Sequence, residues 1–179
     1  MKKITSVILL SFFFHFVTAG LKTVLAQTSV KKTFGQQTAA VSRNRPFNFT
    51  LKTLDGKVVR LNDYRSKIVL VTIWAPWCGP CRAETPGFVS LYKEYHEKGF
   101  EIIGVAVNTN EAEVKSFVSK YDVRWPVGIG ESVAASFGTT GIPDNYLFCP
   151  DGTILKHWVG FTPKEELERA IKNSHNKPS

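Results

Sequence analysis

The chain has 179 residues, 43% of them hydrophobic and 12% aromatic, and a formal net charge of +8 at pH 7. That length supports one full hydrophobic core and leaves little for a second domain, which argues against a multidomain architecture. The basic residues are scattered apart from Lys31, Lys32, Arg43 and Arg45, a distribution that argues against a nucleic-acid partner.

Lys2 and Lys3 precede an uncharged run from Ile4 to Leu21 that is rich in Ile, Leu, Val and Phe and ends among small residues. This is the pattern of an export signal. Cleavage fits after Ala19 or after Ala26, and the second is preferred because Lys22 and Thr23 resemble a polar flank, so residues 1–26 are expected to form a signal peptide. An uncut anchor is the competing reading, because the 18-residue run is marginally long enough to span a bilayer. In that case this segment is the only membrane contact. Cleavage would remove Lys2, Lys3 and Lys22 and no acid, so the net charge would fall from +8 to +5. Export would place the chain in the periplasm or on the outer face of a bacterial inner membrane, where disulfides persist unless actively reduced.

Residues 27–45 lack apolar periodicity and read as a flexible linker, and residues 46–179 as the folded domain. Phe47, Phe49 and Leu51 alternate with polar residues, Asp55-Gly56 makes a turn, and Val58, Val59 and Leu61 return as the second strand of a hairpin. The continuous apolar run from Ile68 to Trp74 predicts a strand buried on both faces. A helix follows from Gly79 to about His96, with Pro86 expected to kink it. Phe100 to Val107 reads as a second buried strand, Glu111 to Tyr121 as an amphipathic helix, Trp125 to Val127 as a short extended piece and Glu131 to Phe137 as a short helix. Asn145 to Phe148 and Thr153 to Val159 flank the turn Pro150-Asp151-Gly152, and a last helix runs from Pro163 to about Asn173. The order implies an α/β sandwich with a mixed central sheet and reactive groups at the carboxyl ends of its strands.

Trp77-Cys78-Gly79-Pro80-Cys81 stands at such a place, between a buried strand and a helix. Residues three apart at the start of a helix share a face and lie close enough for a disulfide of ordinary geometry. Cys78 falls at the helix N-terminus, where unpaired N–H groups and the macrodipole favour a thiolate, so it is the expected nucleophile. Cys81, one turn deeper, is the expected resolving thiol. Pro80 suits the first helical turn, Gly79 leaves the Cys78 sulfur open to a partner, and Trp77 offers that partner an apolar contact. A zinc site would need two further ligands, and Cys149, His96, His157 and His175 have no paired spacing, so no metal and no cofactor is expected. Cys149 reads as a small strand residue. The sequon Asn48-Phe49-Thr50 is discounted because it falls in a strand.

WCGPC after an apolar strand, Pro86 and the downstream Gly141-Ile142-Pro143 resemble thioredoxin. Trp74 to Cys78, Cys81 to Pro86, the lead strands and the stretch from Pro143 to Gly152 are more similar to the exported TlpA/ResA/CcmG branch, over about Pro46 to Lys172. The resemblance implies a thioredoxin-like three-layer sandwich: a mixed sheet with helices on both faces and an added N-terminal β-hairpin. It implies that Pro143 follows a cis peptide bond beside the disulfide and leaves the backbone of Ile142 free to pair with a substrate's extended chain, so that Ile142 and Pro143 are both expected to bind substrate. It also implies a role for Glu84 near the dithiol in redox tuning or proton transfer, with a solvated helix carboxylate as the competing reading. Thioredoxin's buried Asp corresponds by counting to Thr72, whose hydroxyl cannot take the Cys81 proton. Asp144 and Asn145 depart from the Thr-rich segment usual there, which bears on substrate preference.

The expected activity is that of an exported thiol-disulfide oxidoreductase, reducing disulfides in proteins outside the cytosol through Cys78 and Cys81. The intervening Gly-Pro is thioredoxin's, whose potential is near about −270 mV, and this favours a reductant. The resemblance implies a membrane thiol transporter of the DsbD/CcdA kind as donor and apocytochrome c as a substrate class, and the chain is expected to be a monomer. A disulfide-forming oxidant or isomerase and a copper- or thiol-binding protein are the alternatives. A peroxide-reducing enzyme is not expected, because the peroxidases of this superfamily carry a single attacking Cys in a Pro-rich loop.

Overall fold

The computed structural model describes residues 47–175. The expected signal peptide and linker lie outside these residues. β1 (Thr50–Lys52) and β2 (Val58–Arg60) pair antiparallel as a separate two-stranded sheet, the added hairpin. Five strands form the central sheet: β3 (Ile68–Trp74), β4 (Phe100–Ala106), β5 (Val127–Ile129), β6 (Asp144–Phe148) and β7 (Ile154–Val159). Their order is β5-β4-β3-β6-β7, parallel across β5, β4 and β3 and antiparallel for β6 and β7. The helices are α1 (Gly79–Tyr95), α2 (Glu111–Tyr121), α3 (Glu131–Phe137) and α4 (Lys164–His175).

β3 and β4 are buried at every position, as uninterrupted apolar runs require when both faces are covered. On one face Ile68, Leu70, Phe100 and Ile102 pack with Phe88 and Leu91 of α1, Phe117 of α2 and Leu167 and Ile171 of α4. On the other, Val69, Val71, Ile73, Ile103 and Val105 pack with Phe137 of α3 and with Phe49 and Leu51 of the hairpin. This is the thioredoxin-like three-layer arrangement. Packing of α1 on the sheet, beside α4, fixes the place of its N-terminus, and so of Cys78.

Several elements begin or end a few residues from the expected bounds, and two readings change in kind. The extended piece read at Trp125 to Val127 is β5 at Val127–Ile129. Pro126 has no N–H for a ladder, and Trp125 is a core side chain, edge-on to Tyr92. Cys149 is not a strand residue: it follows β6 and begins the turn, its N–H donating to Thr153 O and its carbonyl accepting from Gly152 N–H. Pro86 stands within α1, where its missing N–H leaves the Arg82 carbonyl without the usual donor.

Candidate active site

Cys78 is the N-cap of α1, with extended backbone angles (φ −71°, ψ 116°), and Pro80 occupies the first turn. The Cys81 N–H donates to Cys78 Sγ at 3.2 Å. One of the free N–H groups at the helix start is thus aimed at this sulfur, which is what a thiolate needs. Cys78 and Cys81 form a disulfide with Sγ–Sγ 2.11 Å and Cα–Cα 5.3 Å. Both are buried, Cys81 more deeply, at 1% exposed against 4%. Thr85 Oγ1 donates to the Cys81 carbonyl at 2.7 Å, tying the second turn to the first.

Trp77 is 56% exposed, and its indole N–H donates to Asn108 O at 2.9 Å, so the ring is anchored at one edge and open on its face. Trp74 instead packs in the core on Phe117, with ring centroids 4.3 Å apart. The Ile142–Pro143 bond is cis. Gly160 N–H donates to Pro143 O at 2.7 Å, which joins the proline to the turn bearing Phe161, itself 52% exposed. No Cβ on Gly79 would meet another atom within 4 Å, so that side of the sulfur is open.

Glu84 is not a solvated helix carboxylate. It is 3% exposed, on the sheet-facing side of α1. Asn145 Nδ2 donates to Oε1 and Oε2, each at 3.2 Å, and Thr162 N–H donates to Oε2 at 2.9 Å. Burial pushes its carboxyl up to about 7, and the Thr162 and Asn145 donors offset part of that rise. Burial wins because two neutral donors return less than the lost hydration of a charge. A cavity of about 10 Å³, close to the lower limit for one water molecule, is lined by Cys81, Glu84, Thr72, Thr85, Trp74 and Trp125, among others. Gly104 makes room there: a Cβ on it would stand 3.1 Å from Trp74 Nε1 and 3.2 Å from Trp125 Nε1. Cys81 and the carboxyl therefore line one small cavity, with Thr72 on its wall.

Sequence reasoning missed the partners. Asn145 and Thr162 lie 61 and 78 positions from Glu84. Asp144, beside the cis proline, is also buried: its Oδ2 accepts from Thr139 Oγ1 at 2.7 Å, and its Oδ1 lies 2.6 Å from His157 Nε2. His157 in turn stacks on Tyr146, centroids 4.0 Å apart. Two polar residues opening the apolar strand Tyr146-Leu147-Phe148 were the only local signal. Among the described residues no group of three or more His, Cys, Asp or Glu could hold a metal ion, and no helix is long and apolar enough to cross a membrane.

Known proteins resemble this chain in sequence and in fold. The family model described as AhpC/TSA matches residues 43–157. The thiol-disulfide oxidoreductase ResA of Bacillus thuringiensis subsp. konkukian is 36% identical over 127 residues, 70% of this chain and 73% of that protein. The thioredoxin-like protein YneN of Bacillus subtilis is 35% identical over 153 residues, 82% of this chain and 86% of that one. Among solved structures, a thiol:disulfide interchange protein DsbE from Chlorobium tepidum aligns with a TM-score of 0.67 at 29% identity, covering 73% of this chain and 94% of that one. A thioredoxin from Neisseria meningitidis reaches 0.70 at 28% identity, with coverage of 75% and 91%. A cysteine pair closed across the first turn of a helix that caps a thioredoxin-like sheet, together with these likenesses, shows that the chain belongs to the AhpC/TSA family and, within it, to the ResA-type thiol-disulfide oxidoreductases.

Proposed function

We propose that this oxidoreductase works as a reductant outside the cytosol, with Cys78 as nucleophile and Cys81 as resolving thiol. The observation that carries the reading is the placement of Cys78 Sγ at the N-cap of α1, where the Cys81 N–H reaches it. In the reduced protein the Cys78 thiolate attacks a substrate disulfide. One substrate sulfur leaves as a thiolate and takes up a proton, and the other stays bonded to Cys78. Glu84, as carboxylate, accepts the Cys81 proton directly or through water in the shared cavity. The Cys81 thiolate then attacks Cys78 Sγ. The Cys78–Cys81 bond forms, the mixed disulfide breaks, and the second substrate sulfur departs as a thiolate that is protonated. Two electrons have passed to the substrate. Trp77, Gly79, Pro80, Ile142 and Pro143 form the surface against which its chain lies, with the Ile142 backbone available for strand-like pairing.

Export to the periplasm or the outer membrane face is supported by the N-terminal charge and apolar pattern. Electrons would come from a membrane thiol transporter of the DsbD/CcdA kind, and apocytochrome c is the proposed substrate class. The protein would act as a monomer. The deciding experiment is the potential of the Cys78/Cys81 pair, by equilibration against glutathione or dithiothreitol with mass-spectrometric thiol counting. A value near or below about −250 mV supports the reductant, whereas one near about −120 mV overturns it in favour of a disulfide-forming oxidant.

A further inference from the structure

Asn145 lies on β6 opposite Thr72 of β3 and Trp158 of β7. It shares its face of the strand with Leu147, and both are 0% exposed. A fully buried amide is costly unless both its ends are bonded. Here only one end is. Nδ2 donates to both Glu84 oxygens at 3.2 Å and to Thr162 Oγ1 at 3.0 Å. Oδ1 is buried and has no partner.

A carboxyl that exchanges a proton places opposite demands on its neighbour. The carboxylate only accepts, while the acid has an O–H to donate. An asparagine amide carries one end of each kind, and a half turn about χ2 exchanges them at nearly the same shape. Thr162 is equally reversible, because a hydroxyl can donate or accept. With the amide as it stands, Nδ2 gives one hydrogen to the carboxylate and the other to Thr162. With the amide turned, the two lone pairs of Oδ1 accept from the Glu84 acid and from the Thr162 hydroxyl. The number of bonds is the same in both arrangements. No bond is broken at the far end, where the turned amide exchanges an unpartnered oxygen for unpartnered N–H groups, a cost that the bonds made by Oδ1 to the Glu84 acid and the Thr162 hydroxyl must exceed.

We propose that Asn145 is a two-way positioning residue, which donates to Glu84 as carboxylate and turns over to accept from it as acid, holding the side chain in one place while its proton is exchanged with the dithiol. This rests on the reading of Glu84 as the proton-exchanging group. The groups facing Glu84 from the packed elements are Cys81 on α1, Thr72 on β3, Asn145 on β6 and Thr162 in the β7–α4 turn. The charged residues on these and the adjoining elements include Arg82 of α1, Asp144 of β6, which is bonded to Thr139 and to His157 of β7, and, on α4, Lys164, which packs on Gly87, and Glu166, which is bonded to Lys156 and Trp158.

The test is NMR on the oxidised protein, in which neither active-site thiol titrates. The Glu84 ¹³Cδ shift and the side-chain NH₂ signals of Asn145 are followed from about pH 5 to 9, a range spanning raised carboxyl values. The expected result is a Glu84 titration with loss, at the same midpoint on acidification, of the nuclear Overhauser contact between the Asn145 NH₂ and the Thr162 side chain. A titrating Glu84 with that contact unchanged would overturn the two-way role and leave the Glu84 reading intact. A Glu84 that does not titrate in this range would overturn both. In Glu84→Gln the Asn145 signals should be independent of pH, and movement there would assign the switch to another group and sink the proposal.

Discussion

Cys78 and Cys81 occupy different settings within a single helical turn. Cys78 caps α1 and receives an N–H, whereas Cys81 lies beneath it against the cavity that Glu84 shares. Cys78→Ser should therefore lose insulin reduction down to the uncatalysed background while melting as a folded protein. Cys81→Ser should keep the attack and lose resolution, so a covalent adduct with substrate accumulates on non-reducing gels and in intact-mass spectra. Absence of that adduct would reverse the two roles. Glu84 makes a separate prediction about stability. Its carboxyl, raised by burial from 4.5 to about 7, binds a proton in the folded state at pH values where the unfolded chain has released it. The stability it contributes is full below the unfolded value and is lost as pH rises through the folded one. Between about pH 4.5 and 7.5 the oxidised protein should lose roughly 3 kcal/mol relative to Glu84→Gln, since each tenfold difference in proton affinity between the folded and unfolded chain is worth about 1.4 kcal/mol. Urea titrations of both proteins at the two ends of that range test this, and parallel stabilities would show a carboxyl that is not raised.

At the scale of elements, the runs of one character were legible and the joints were not. Ile68–Trp74 and Glu111–Tyr121 have the expected bounds, because a seven-residue apolar run and a helix periodicity are local properties of the chain. β5 was displaced by two residues, because an aromatic residue at 125 looks the same in sequence whether it starts a strand or fills a core. The dithiol was legible for the same local reason: cap, proline and both sulfurs lie within five consecutive residues. The Glu84 setting was not, since burial of a polar side chain depends on partners that only the fold brings up. Also invisible in sequence is what covers the edge of β5. There Leu54 N–H donates to Val127 O, and a Cβ on Gly128 would overlap the Lys52 carbonyl and stand 2.9 Å from Leu51 Cγ. A backbone carbonyl cannot swing aside as a side chain can, so Gly128→Ala should push the hairpin off the sheet edge. The expected cost is about 1–3 kcal/mol, typical of overpacking, read as a lower denaturation midpoint. An unchanged midpoint would mean that the hairpin is not held against this edge.

Among the described residues, the dithiol and the cis proline lie at one end of the sheet. β3 delivers the dithiol loop after Trp74, and β6, running the opposite way, begins beside the same end with Asp144 and finishes with Phe148 opposite Val69. Cys149 follows directly and so lies level with Ile68, about 20 Å of strand from the dithiol end at 3.3 Å per residue. That separation is several times the span of a disulfide, whose α-carbons stand at most about 7 Å apart. The hairpin turn also holds Cys149 through two backbone hydrogen bonds, and Arg65 bonds to the Asp151 carbonyl in the same turn. The third thiol thus has no path to Cys78 or Cys81 within one folded molecule. Cys149→Ser should leave insulin reduction within about twofold of the parent, the ordinary consequence of a surface change worth under about 0.5 kcal/mol. It should also leave the potential of the Cys78/Cys81 pair unmoved. A shifted potential, or a Cys149-containing disulfide found by peptide mapping after turnover, would show that the two ends of the sheet communicate through thiol exchange between molecules.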